Sequence, residues 1–103
     1  MIITEFLLAR IAEDETAAQA ALDHAPDAGR REARVLAECA AKRTIVEAFE
    51  ELGKFLTQPS DNGDGDVVTG ARDMFAGLMI AVQAHAGVYA DHPDYRPAWR
   101  PQV

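Results

Sequence analysis

Glu47 and Glu50 stand three residues apart in a stretch of helical periodicity, which places both carboxylates on one helix face. Such a pair can hold a divalent cation for metal-assisted hydrolysis, provided a neighbouring helix adds further acidic ligands. The next helical stretch offers only Asp73, and two carboxylates alone ordinarily make a solvated face. The run Asp61-Asn62-Gly63-Asp64-Gly65-Asp66 is oxygen-rich and invites a calcium reading. A helix-loop-helix calcium loop begun at Asp61 needs oxygen ligands at its third and fifth positions, glycine at the sixth and glutamate at the twelfth. Those positions hold Gly63, Gly65, Asp66 and Arg72, so the register fails. His24, His85 and His92 form no H-x-x-H or H-x-x-x-H pair, and no E-x-x-H motif occurs. His85 reads as a half-buried histidine on an apolar helix side. No metal site and no cofactor are expected.

Nucleophilic catalysis has as little support. Cys39 lies in apolar surroundings beside Glu38, which raises a thiol pKa instead of lowering it. Ser60 is the only serine and sits in no G-x-S-x-G elbow, and no glycine-rich phosphate loop is present. No catalytic residue is assigned. Arg30, Arg31, Arg34, Lys42, Arg43 and Lys54 interleave with Glu32, Glu38, Glu47, Glu50 and Glu51, the pattern of a mixed, solvated face and not of a nucleic-acid stripe.

Recognition chemistry gathers instead in residues 91–103. That stretch holds three of the five prolines, the only tryptophan and one of the two tyrosines. Pro93, Pro97 and Pro101 recur every four residues and favour an extended course. Tyr89, Tyr95 and Trp99 bring enough ring area to brace a helical core. Tyr95, Arg96, Trp99 and Arg100 are the expected partner-binding residues, because these residue types are enriched in interface hot spots.

The elements that must position these groups follow from periodicity. Leu7, Leu8, Ile11, Ala18 and Leu22 mark a first helix over about residues 5–23, with Thr4 as its N-cap. His24-Ala25-Pro26-Asp27-Ala28-Gly29 breaks the pattern. A second helix over about residues 30–56 carries a broad stripe: Val35, Cys39, Val46, Phe49 and Leu56, flanked by Leu36, Ile45, Leu52 and Phe55. Residues 57–68 read as a polar loop. A third helix over about residues 70–90 turns Ala71, Met74, Phe75, Leu78, Met79, Val82, His85, Ala86 and Tyr89 inward. The short first connection predicts an antiparallel hairpin, with Glu13, Asp14 and Glu15 near Arg34 and Lys42. No strand is expected.

At 103 residues the chain reads as one helical domain, 1–103. Its net charge of −7 disfavours nucleic acid or an anionic membrane as partner. No window was found to match a membrane-spanning helix, and the start lacks a signal-peptide pattern. A single unpaired thiol fits a reducing compartment, so a cytoplasmic location is expected.

Two segments then carry a resemblance. Glu5-Phe6-Leu7-Leu8-Ala9-Arg10-Ile11-Ala12-Glu13-Asp14-Glu15 and Tyr89-Ala90-Asp91-His92-Pro93-Asp94-Tyr95-Arg96-Pro97-Ala98-Trp99-Arg100-Pro101 resemble a family of small uncharacterised actinobacterial and actinophage proteins, as does the middle stretch from Arg34 to Val46. The resemblance implies that tail and helices form one unit, and it implies no activity. The combined expectation is an all-α, small three-helix bundle with a long antiparallel hairpin and an extended aromatic, proline-rich C-terminal tail. It is expected to act as a non-enzymatic interaction module, a homodimer with helices two and three contributing, and to meet a further, unidentified protein. The alternative is a metal-dependent all-α enzyme similar to nucleotide pyrophosphohydrolases, using Glu47, Glu50 and Asp73.

Overall fold

The computed structural model of the chain describes residues 1–25, 27, 29–58 and 65–101. Three helices account for most of it: α1, Ile3–His24; α2, Gly29–Thr57; and α3, Gly65–Gly87. A 3-10 turn, Pro97–Trp99, closes the tail, and no strand occurs among the described residues. The molecule is an all-α small bundle. Pro26, Ala28 and most of the expected polar loop, including Asp61 to Asp64 of the calcium-like run, lie outside the described residues.

The helices run up, down and up. Glu15 of α1 meets Arg43 of α2, and Thr4 lies beside Phe49, so those two are antiparallel. Gly53 of α2 approaches Phe75 of α3 while Lys42 approaches Tyr89, so that pair is antiparallel as well. At about 1.5 Å per residue α2 spans roughly 44 Å and α3 roughly 35 Å. Helix α3 therefore covers only part of the hairpin. The principal extents are 55 × 27 × 22 Å, and the radius of gyration is 16.8 Å, against about 13 Å for a compact chain of 100 residues.

The core sits where all three helices meet. Leu7, Ile11, Cys39, Val46, Phe49 and Val82 form it, with Phe75, Leu78, Met79 and Tyr89 packed around them. Phe49 stacks on Phe75 at 4.6 Å between ring centroids. A Cβ on Gly53 would come within 3.3 Å of the Phe75 ring, so this glycine lets α3 settle against α2. Beyond the core the hairpin continues as a two-helix arm. Between Ala12 and Glu38, Ala18 is the only buried residue among those described.

Several expectations change. Helix α1 starts at Ile3 with Ile2 as N-cap, and Thr4 is buried within its first turn instead of capping it. Its burial extends to Phe6 and Arg10, a second face beside the Leu7–Ile11 stripe. Helix α3 begins five residues before the expected position 70, with Asp66 at its positive end. It ends at Gly87, where Val88, Tyr89 and Ala90 switch to bonds three residues back. The tail is a series of tight turns and not an extended strand: His92 N–H donates to Tyr89 C=O at 2.9 Å and Tyr95 N–H to His92 C=O at 3.0 Å. Met74, expected inside, is 61% exposed, and Phe55 47%.

The hairpin brings Lys42 beside the acidic trio as expected but not Arg34. Arg34 pairs with Glu38 on its own helix, one turn away, at 3.3 Å. Glu15 instead receives Arg43 through two guanidinium nitrogens, at 3.0 and 2.5 Å. In the observed register the level of Asp14 on α1 is that of Lys42 on α2, which leaves Arg34 beyond the reach of the acidic trio. Finally, by length and composition α3 does pass as apolar enough to cross a membrane, because Ile, Val, Leu, Met and Phe offset Arg72 and Asp73 over its length. Gly70 and Gly77 lie within this helix at about 1 kcal/mol each relative to alanine.

Candidate functional site

The tail and the start of α1 build one aromatic cluster. Phe6 is fully buried, and four rings surround it: Trp99 at 5.1 Å, His92 at 5.6 Å, Tyr95 at 5.9 Å and Tyr89 at 6.4 Å. Tyr95 and Trp99 also meet edge to face at 5.6 Å. Offset and edge-to-face ring pairs each add about 0.5–1.5 kcal/mol beyond the area they bury. Proline at 97 starts the 3-10 turn that carries Trp99 over Phe6, and Trp99 N–H donates to Arg96 C=O.

Charged groups from α1 tie the cluster down. Arg10, almost wholly buried, lies over the Phe6 ring at 5.3 Å, donates to His92 Nε2 and pairs with Glu13 at 2.9 Å. Its Nε is buried without a hydrogen-bond partner among the described residues. One turn further on, Asp14 accepts a hydrogen bond from the Tyr89 hydroxyl at 2.6 Å. Burial, reinforced by that carboxylate, pushes the Tyr89 phenol well above its ordinary value.

Of the expected partner-binding residues, Tyr95 and Trp99 face inward and are half-buried, whereas Arg96 and Arg100 are exposed. Sequence periodicity missed Phe6, Arg10 and Asp14. The available signal was their own i, i+4 spacing, a line parallel to the aliphatic stripe and pointing at a different neighbour.

The other chemical candidates do not converge. Glu47 and Asp73 are exposed and Glu50 is half-buried on the side of Thr4 and Glu5. Among the described residues, no three His, Cys, Asp or Glu side chains gather as a metal-binding group. Cys39 is buried, and burial followed by Asp14 and Glu15 pushes its thiol up, away from nucleophilic use. His85 is half-buried between α2 and α3 beside Lys42 and Ile45; burial and then the Lys42 charge pull its pKa down. Glu15 is held below the usual carboxylate range by its bond to Arg43.

The remaining feature is apolar. Helix α3 carries Met74 at 61% and Ile80 at 44% exposure, and Val88, in the turn just past its end, is 70% exposed. From Met74 to Ala90 the chain has no Asp, Glu, Lys or Arg. Exposed apolar tracts of this kind mark places where something docks. Comparison with known proteins adds one match: the model of a family described as a family of unknown function, DUF6221, matches residues 1–101. No curated protein and no solved structure matches the chain.

Proposed function

This chain belongs to DUF6221, a family of unknown function, and on that premise we propose that it is a non-enzymatic helical module for protein interaction, working as a homodimer in the cytoplasm. One observation carries the reading. The ring-bearing tail is spent on its own α1, around Phe6, while the most apolar helix keeps an uncharged side open to solvent. The tail is then a brace, and Arg96 and Arg100 on its outer surface remain for a further protein partner. A net charge of −7 makes nucleic acid an unsuitable partner, and it repels anionic membrane.

Sedimentation velocity from low to high micromolar concentration tests self-association. A shift from monomer to dimer is the expected result, and a monomer persisting throughout defeats it. Trp99→Ala is expected to lower the melting temperature and weaken self-association or capture of a partner. An unchanged protein by all three measures would remove the tail from this account. A specific thermal shift with Mg²⁺ or Mn²⁺ and a nucleotide would instead favour hydrolysis through Glu47, Glu50 and Asp73.

A further inference from the structure

The groove that holds the end of α3 continues after that helix has stopped. Tyr89 closes it at one end, with its hydroxyl on Asp14 and its ring under Lys42. Past Tyr89 it runs on between α1 and α2 as an open cleft of about 430 Å³, floored by Ala17, Ala18, Ala21, Val35 and Cys39. The rim carries an acid and a base at each end: Asp14 and Lys42 beside Tyr89, Arg31 and Glu32 toward the hairpin tip. Two of these charges lack a counterpart. Among the described residues Glu32 makes no hydrogen bond or ion pair, and its Oε2 is shut off from water. Lys42 makes no ion pair among them and rests on the Tyr89 ring. A carboxylate oxygen buried without a donor is costly, so Glu32 calls for a cation. Lys42 of the same chain cannot serve, since it lies about 15 Å further along α2.

We propose that this cleft receives the arm of a second copy: two hairpins lie antiparallel, groove to groove, around a two-fold axis at the level of Ala37. The proposal rests on the self-association reading above and gives it a place. In this arrangement α2 faces α2, and Lys42 of each chain comes level with Glu32 of the other. The same symmetry brings Asp14 to the end that holds Arg31 of the second copy. Arg34 and Glu38, which pair at 3.3 Å within one chain, come within a turn of their copies and can exchange partners. Charge complementarity selects the occupant through these positions and not through net charge. A foreign helix would need an acid and a base at this spacing and in this order, whereas a second copy has them by symmetry. A parallel pair would set Glu32 level with Glu32 and Lys42 level with Lys42.

Two paired hairpins close as a four-helix bundle, in which each arm gains the neighbours that α3 supplies to the core. From Lys42 to the start of α2 the arm is about 20 Å long. The two grooves together bury on the order of 1,000 Å², the lower end of specific interfaces.

Exchange of charge in the full-length chain tests the seam. Glu32→Lys and Lys42→Glu, each alone, should weaken dimerisation about tenfold in sedimentation equilibrium. Mixed in equal amounts, the two variants should form a heterodimer about as tight as the wild-type pair, because both ends of the seam are then restored. No contact within one chain can give that rescue. Should Lys42→Glu disturb Tyr89, Glu32→Lys alone keeps the test decisive, since Glu32 has no partner in the monomer. Ala17→Arg, at an exposed position in the groove, should block pairing and leave the melting temperature of dilute protein unchanged. Ala20→Arg, outside the groove, should leave the dimer intact. Oxidising a mixture of Glu32→Cys and Lys42→Cys chains should join 32 to 42, and a 42-to-42 link would overturn the antiparallel arrangement. A dimer that survives Ala17→Arg, or folded variants that show no rescue, would overturn the seam while leaving self-association standing. A wild-type chain that stays monomeric at high micromolar concentration defeats both.

Discussion

The two ends of this molecule are built from the same two helices and behave differently. At one end α1 and α2 are joined by α3 and the tail, and Phe6, Leu7, Ile11, Val46 and Val82 lose all contact with water. Along the arm the hairpin has only itself, and Ala18 is the one described residue that becomes buried. The arm is also poorer in large aliphatic side chains: residues 12–38 hold only Leu22, Val35 and Leu36, all half-buried, whereas the other end has Ile3, Leu7, Leu8, Ile11, Ile45, Val46, Leu52 and Leu56. A pair of helices can hide one line of contact, whereas a third element converts the same stripe into an interior. Burial thus follows both the number of neighbours and the supply of large apolar side chains.

The sharpest way to break this contrast is truncation at matched positions. Phe6→Ala should cost about 3–5 kcal/mol in chemical denaturation, since it empties the middle of a ring cluster. Leu22→Ala on the arm should cost about 1 kcal/mol, because the site is half-open and can relax. Equal losses at both positions would erase the distinction. Tyr89→Phe comes next: it leaves Asp14 without its phenol donor, and a loss of about 1–2 kcal/mol is expected for a half-buried bond to a charge. Arg43→Ala, at the junction between core and arm, should cost at most about 1 kcal/mol, the ordinary worth of a partly exposed ion pair.

The smallest effect is a dependence on pH. His85 is held below its ordinary value of 6.5, mainly by burial. The unfolded chain therefore binds a proton around pH 6.5 that the folded chain resists, and stability falls as the pH drops through that value. Glu15 adds a second loss lower down, because its depressed pKa gives stability that is present above 4.5 and disappears on further acidification. Melting curves at pH 7.5, 5.5 and 3.5 should show both steps, and His85→Gln should flatten the first.

Much of this fold was legible from spacing alone. Leu7 and Ile11 on α1, Cys39, Val46 and Phe49 on α2, and Val82 and Ala86 on α3 were all placed inward by helical periodicity, and all are buried. Periodicity fails where one helix serves two neighbours. Phe6 and Arg10 lie off the main stripe of α1, and nothing local reveals that Trp99 and His92 will arrive there from the other end of the chain. It also misplaced Met74, because an apolar residue on a second line looks the same whether that line meets the core or the solvent. The ion pairs of the hairpin were legible in part. Charge complementarity suggested Arg34 and Lys42 as neighbours of the acidic trio; Lys42 does lie beside Asp14, but Glu15 takes Arg43 and Arg34 pairs within its own helix.

The meeting of Phe6 with Trp99 has a bearing on how the protein is made. Phe6 precedes its lid by 93 residues, so the nascent hairpin carries an unsheltered ring until Trp99 has been made. Closure of this end therefore waits on the synthesis of the whole stretch between them, and a chain that stalls before position 99 emerges with that ring still bare.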